Sequence, residues 1–125
     1  MYDVTATGEL LIDFTRNGLS EQNNRIYEAN PGGAPCNVLA MLGKLGYKTA
    51  FIGKVGDDEF GKLLKNTISE QKIDSTGLVM DPDAKTTLSF VDNDETGDRS
   101  FSFYRKPGAD MMFREDEVNY ELIDN

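Results

Sequence analysis

The sequence contains no histidine and one cysteine, Cys36. A single thiol excludes an intrachain disulfide and predicts a reducing compartment. Without histidine, a zinc site of the common nitrogen and sulfur type is not expected. No apolar run approaches the ~20 residues that a membrane-spanning helix needs. The opening stretch MYDVTATGELLIDF lacks a basic segment followed by a long apolar one, so no signal peptide is expected. Positive charge is scarce: 13 basic residues stand against 22 acidic ones, for a formal charge of -9. That balance argues against an electrostatic grip on nucleic acid or an anionic membrane. It also repels a phosphorylated substrate unless basic groups are gathered locally. Together these absences predict a soluble, cytoplasmic protein with no nucleic-acid or membrane partner.

What is present suits one modest domain. The chain has 125 residues and is 38% hydrophobic, enough for a small core and too much for a disordered chain. Tyr2 to Phe14 reads as one strand with a kink or bulge at Gly8-Glu9, and polar Arg16 to Gln22 reads as a loop. RIYEAN, residues 25–30, is a short strand candidate. Pro35 stands where a helix favours its first residues, and Gly46 where a helix stops. Between them Val38, Leu39, Met41, Leu42 and Leu45 recur at helical spacing on one broad face. Lys48 to Val55 is a strand. A second helix is expected from about Asp58 to Gln71, burying Phe60, Leu63, Leu64 and Ile68. This alternation predicts an α/β fold with crossover connections.

The later part alternates with period two. TTLSFVD (86–92) and RSFSFYR (99–105) flank an acidic turn within DNDETGD and predict an antiparallel hairpin. Phe101, Phe103 and Arg105 share one face, and Ser102 and Tyr104 the other. Arg114 to Asn125 reads as the opening of another helical segment.

Gly56 to Leu63, GDDEFGKL, nearly matches a phosphate-binding loop. Leu63 has no hydroxyl to offer a magnesium ion. Asp57, Asp58 and Glu59 would meet phosphates at short range. The stretch is better read as an acidic helix start after a strand.

A different set of residues suits a neutral polyol. Asp13 falls at the end of the first strand segment, where α/β proteins commonly place ligand groups. Gly32 and Gly33 precede a helix whose first turn holds Asn37, a mediocre helix former. Arg105 ends the hairpin beside two phenylalanines. A carboxylate accepts hydroxyl protons, an amide accepts and donates, and glycine lets backbone approach closely. Each residue alone has a plainer reading: a turn aspartate, helix-entry glycines, a solvated arginine with core phenylalanines. Composition and spacing alone yield an α/β domain with a possible polar-ligand site.

The stretch PGGAPCNVLAMLGKLGYKTAFIGKVGDDEFGK resembles the N-terminal signature of the ribokinase-like carbohydrate kinases of the phosphofructokinase-B type, bacterial fructokinases above all. GELLIDF, TTLSFV and FSFYRKPGAD resemble the same enzymes in the same order, so the similarity spans essentially the whole chain. Leu39 departs from the pattern, standing where the family usually has a small residue. The resemblance implies a mostly parallel central sheet with flanking helices, plus a small β-sheet lid with strands near 10–30 and 86–105. It implies sugar contacts from Asp13, Gly32, Gly33, Asn37 and Arg105, and a homodimer contact through the lid.

It further implies ATP-dependent transfer of a phosphoryl group to a sugar hydroxyl, with fructose as the sugar and ATP and Mg as cofactors of the full-length parent. In this family the catalytic base and anion hole belong to a C-terminal motif of the form D-T-x-G-A-G-D. No such motif occurs in residues 1–125; the nearest match is Gly108 to Asp110. The expectation is therefore an N-terminal substrate-and-lid part, 1–125, without the ATP-binding part, no catalytic base, no bound cofactor or metal of its own, and no activity alone. Kinases of 2-keto-3-deoxygluconate or ribose with the same fold stay open as alternatives. So does a noncatalytic sugar-binding or oligomerisation module.

Overall fold

Thr49–Gly56, strand β4, is buried along its whole length, and the rest of the chain is arranged around it. A computed structural model describes residues 1–93, 99–105 and 107–124. β4 is the middle of a three-stranded parallel sheet, flanked by β1 (Val4–Thr7) and β5 (Ile73–Asp81). The crossovers carry helices α1 (Ala34–Lys44) and α2 (Glu59–Glu70). Side chains alternate across a strand, so β4 meets two different neighbours. Phe51 and Val55 join Cys36 and Leu39 of α1 and Leu64 and Ile68 of α2 in the main core. Ala50 and Ile52 instead pack with Leu122, Phe113 and Val118 of the C-terminal segment. A parallel strand covered on both faces needs this continuous apolar character.

A second sheet has four strands in the order β3-β2-β6-β7. Its members are β2 (Leu11–Leu19), β3 (Arg25–Gly32), β6 (Leu88–Asn93) and β7 (Arg99–Tyr104). β2 runs antiparallel to β3 and parallel to β6, and β6 and β7 form the expected antiparallel hairpin. The turn expected between them, residues 94–98, lies outside the described residues. One face of this sheet is aromatic: Phe14 stacks on Phe90 at 4.9 Å and meets Phe60 of α2 edge-on at 5.3 Å. That contact ties the small sheet to the main core.

Several expectations are corrected. Tyr2 to Phe14 is two strands in two sheets, because Gly8 takes φ +143° and turns the chain out of the parallel sheet. The stretch expected as a loop from Arg16 continues β2 as far as Leu19, since the ladder to β3 supplies backbone partners for polar residues at a sheet margin. The broad apolar face of α1 is only partly used. Cys36 and Leu39 are buried, whereas Val38, Met41 and Leu45 are exposed. Leu63 is exposed too, with Leu64 taking the inward position. β5 was not anticipated at all: its Asp74, Ser75, Thr76 and Gly77 weaken the apolar signal, and pairing with β4 makes it a strand. The C-terminal segment is not one helix but two 3-10 turns, Ala109–Met112 and Glu115–Glu117, and a short α3 (Glu121–Asp124).

The C-terminal segment is pinned by a buried lysine. Lys54 Nζ lies 2.8 Å from Glu117 Oε1 and 3.3 Å from Asp81 Oδ2, and donates to the Met112 carbonyl at 3.3 Å. Burial pulls the Lys54 pKa down, but hydrogen bonds and charges from Glu117 and Asp81 outweigh it and the net shift is upward. Lys54 therefore holds its charge and fixes the segment that follows Gly108.

Candidate functional site

Directly opposed residues in neighbouring strands share a sheet face. Asn30 of β3 opposes Asp13 of β2, Asp13 opposes Ser89 of β6, and Ser89 opposes Phe103 of β7. A single row thus crosses the four-stranded sheet on the face away from the aromatic cluster. Contrary to expectation, Asp13 does not end the first strand segment. It is the third residue of β2, in the middle of this row. The Ser89 hydroxyl donates to Asp13 Oδ1. Asn30 Nδ2 donates to Thr15 Oγ1 at 3.1 Å, one step along the same face.

The glycine pair lies against these groups. A Cβ on Gly32 would stand 2.3 Å from Asp13 Oδ2, so a side chain there would displace the carboxylate. Gly33 caps α1 with φ +117°, and a Cβ there would stand 2.3 Å from the Glu9 carbonyl oxygen. The Gly33 carbonyl accepts the Asn37 N–H at 3.2 Å, which places Asn37 one turn into α1 with an exposed side chain. Cys36 beside it is buried, and burial pushes its thiol pKa up to about 12, so it is no nucleophile at neutral pH.

Arg105, just past β7, is not a loosely solvated charge. Its guanidinium lies 5.1 Å from the Phe103 ring centroid. Nη2 donates to Glu9 Oε2 and, at 3.4 Å, to Asp110 Oδ2. Asp110 Oδ1 in turn accepts the Thr87 hydroxyl. Arg105 Nε is buried without a hydrogen-bond partner among the described residues. Glu9, Arg105, Asp110 and Phe113 line, with Thr7 and Gly8, a cleft of about 370 Å³ at the C-terminal end of β1. In α/β sheets that is where ligands bind. A larger cavity, about 530 Å³ between Tyr2, Tyr47, Lys48 and Lys72, lies at the N-terminal ends of β4 and β5, away from Asp13.

The structure therefore brings Asp13, Gly32 and Gly33 together and links Arg105 to them through Glu9, whose carbonyl touches Gly33. Asn37 is tied to them only through its backbone N–H on the Gly33 carbonyl, and its side chain is exposed. Asn30, Ser89, Glu9 and Asp110 complete the group and were not read from sequence as ligand residues. Their sequence signals were alternation within TTLSFVD for Ser89, proximity to glycines for Glu9 and Asn30, and the end of FSFYRKPGAD for Asp110. Chemically, the assembly is an oriented carboxylate, amides and close backbone, fit to accept and donate hydrogen bonds to hydroxyls.

The GDDEFGKL turn does not fit a phosphate. Asp58 caps α2, accepting from Gly61 N–H at 2.8 Å, and also takes the Thr86 N–H at 2.9 Å and hydroxyl at 2.7 Å. The Gly56 N–H is taken by Thr86 Oγ1 at 3.0 Å. A Cβ on Gly61 would stand 1.8 Å from the Gly56 carbonyl oxygen, so this glycine serves close packing of helix on strand.

Comparison with known proteins identifies the family of the chain. The family model for pfkB family carbohydrate kinases matches residues 1–125. A probable chloroplastic fructokinase-6 of Arabidopsis thaliana is 45% identical over 122 residues, covering 96% of this chain and 32% of the relative. The crystal structure of fructokinase with bound ATP from Xylella fastidiosa superposes with a TM-score of 0.88 at 36% identity, over 97% of this chain and 39% of that one. A double-mutant fructokinase from Vibrio cholerae, bound to fructose, ADP and potassium, superposes with a TM-score of 0.77 at 36% identity, over 91% and 35% of the two chains. The chain spans about a third of the length of such relatives. Motif order, sheet topology and these matches agree: the chain belongs to the pfkB family of carbohydrate kinases and has their ribokinase-like fold.

Proposed function

We propose that this chain forms the sugar-acceptor site and lid of an ATP-dependent sugar kinase, with fructose as the acceptor. The carrying observation is Asp13, whose Oδ1 is held by Ser89 while Oδ2 lies against the backbone at Gly32. A carboxylate so held accepts a sugar hydroxyl in one orientation, which is the positioning that phosphoryl transfer demands. The Gly32-Gly33 backbone and Asn37 extend the contact along the start of α1. The four-stranded sheet is the lid over the sugar, and its outer strand β7, with Phe101 exposed, is the dimer contact. ATP, when bound with Mg, supplies the phosphoryl group. Among the described residues, the glycine-flanked turn from Gly56 to Leu63 offers no cradle for it, because Asp58 caps α2 there. Fructose is favoured by the names of the relatives and by the fructose in the Vibrio cholerae structure.

The test is ATP-dependent phosphorylation of a sugar panel by the full reading frame, with fructose expected to give the highest kcat/KM. Absence of turnover on every sugar would sink the kinase reading and favour a noncatalytic sugar-binding module. In the active enzyme, Asp13→Ala is expected to lower kcat/KM for sugar by about 1–3 kcal/mol, roughly 5- to 150-fold, the range for a deleted hydrogen bond to substrate. KM for ATP should change little. Lost ATP affinity with intact sugar affinity would refute the role of Asp13.

A further inference from the structure

Arg105 is the one cation lining the 370 Å³ cleft among the described residues, and two carboxylates already hold it. They differ in character. The Asp110 side chain is only 4% exposed, with Oδ1 fixed by the Thr87 hydroxyl. Its segment is held by the Ala109 N–H bond to the Lys85 carbonyl at 2.7 Å and by Lys54 on the Met112 carbonyl. The Glu9 side chain is 54% exposed and reaches in from the junction of β1 and β2. Among the described residues the lining thus carries one negative charge in excess, and Asp13 adds another beyond the Gly33 turn.

An incoming carboxylate or phosphate that replaces the half-exposed Glu9 still lies beside the buried Asp110, and its two other ways to engage Arg105 are also unfavourable. It can displace Asp110, leaving a buried carboxylate without its cation. Alternatively it can enter beside Glu9 and Asp110 and meet like charge at short range. A neutral sugar meets neither obstacle, because hydroxyls donate to these carboxylates while the guanidinium stays neutralised. Building on the sugar-kinase reading, we propose that Asp110, assisted by Glu9, is a specificity-determining residue that withholds Arg105 from anionic acceptors. It excludes sugar acids and sugar phosphates and leaves neutral sugars. Asp110 acts through Arg105 and is a positioning residue, and its discrimination comes from a repulsive element.

The test compares kcat and KM of the full-length enzyme for fructose and 2-keto-3-deoxygluconate in wild type, Asp110→Asn, Asp110→Glu and Glu9→Gln. Asp110→Asn is expected to raise the sugar-acid to fructose ratio of kcat/KM by about tenfold, mainly through a lower KM for the acid. Asp110→Glu, which keeps the charge, should retain the wild-type ratio. Glu9→Gln should move the ratio the same way by a smaller factor, because an exposed charge is screened. An unchanged ratio in Asp110→Asn while fructose is still phosphorylated overturns the inference, as does a wild type that prefers the acid. If Asp110→Asn does not fold, Glu9→Gln decides by the same ratio. Failure of the wild type to phosphorylate any sugar refutes the kinase reading instead, so the two failures are distinct.

Discussion

At the scale of single residues, the site depends on side chains that are absent as much as on those present. Gly33 combines a left-handed φ of +117° with a Cβ position 2.3 Å from the Glu9 carbonyl oxygen. Gly33→Ala is therefore expected to cost about 1–3 kcal/mol of stability. Denaturant unfolding would read this as a lower midpoint at unchanged slope, and a neutral result would refute the tight approach. Shifting Glu9 would also disturb Arg105, so sugar KM should rise in the same variant. Asp13, Gly32, Gly33, Asn37 and Arg105 could be singled out in the sequence as candidates because their motifs are local and ordered. Ser89, Asn30, Glu9 and Asp110 could not be. Period-two alternation tells which residues share a face of one strand, but not which strands lie side by side.

At the scale of elements, Asp58 shows how a near-match to a phosphate loop becomes structural. Its carboxylate joins the start of α2 to the approach of β6 through Gly61 and Thr86. Asp58→Ala is expected to cost about 1–3 kcal/mol, as a lost helix cap with buried partners left unpaired. Burial alone would raise the Asp58 pKa, but the Thr86 and Gly61 N–H groups, the Thr86 hydroxyl and the Lys85 charge lower it overall. A depressed folded pKa means the charged form stabilises the fold above the usual carboxylate range, near pH ~4. That contribution fades as pH falls through the lower folded value. Urea unfolding of wild type and Asp58→Asn across pH 7 to 2 should give a stability gap that narrows toward acid; a constant gap would contradict this. The two helices and the hairpin were legible from periodicity and end signals. The division between β1 and β2, and β5 itself, were not, because a neighbouring ladder supplied what the local residues did not signal.

At the scale of the whole molecule, two sheets share one core, and β7 forms an edge whose residues are all exposed. An edge strand bearing Phe101 in the open invites pairing with another chain. The full-length protein is expected to elute as a dimer on size exclusion, and Phe101→Glu to shift it toward monomer. A monomeric wild type would refute the lid as a dimer contact. The α/β class, the helix positions, the hairpin and the family can be read from the chain directly, because each rests on local spacing and ordered motifs. That Asp13 belongs to the small sheet, that Ser89 and Gly32 flank it, and that Arg105 is already held by Glu9 and Asp110 emerge from the folded chain alone. Those facts depend on which strands pair and on polar groups far apart in the chain, 76 residues from Asp13 to Ser89 and 96 from Glu9 to Arg105, separations that no local pattern encodes.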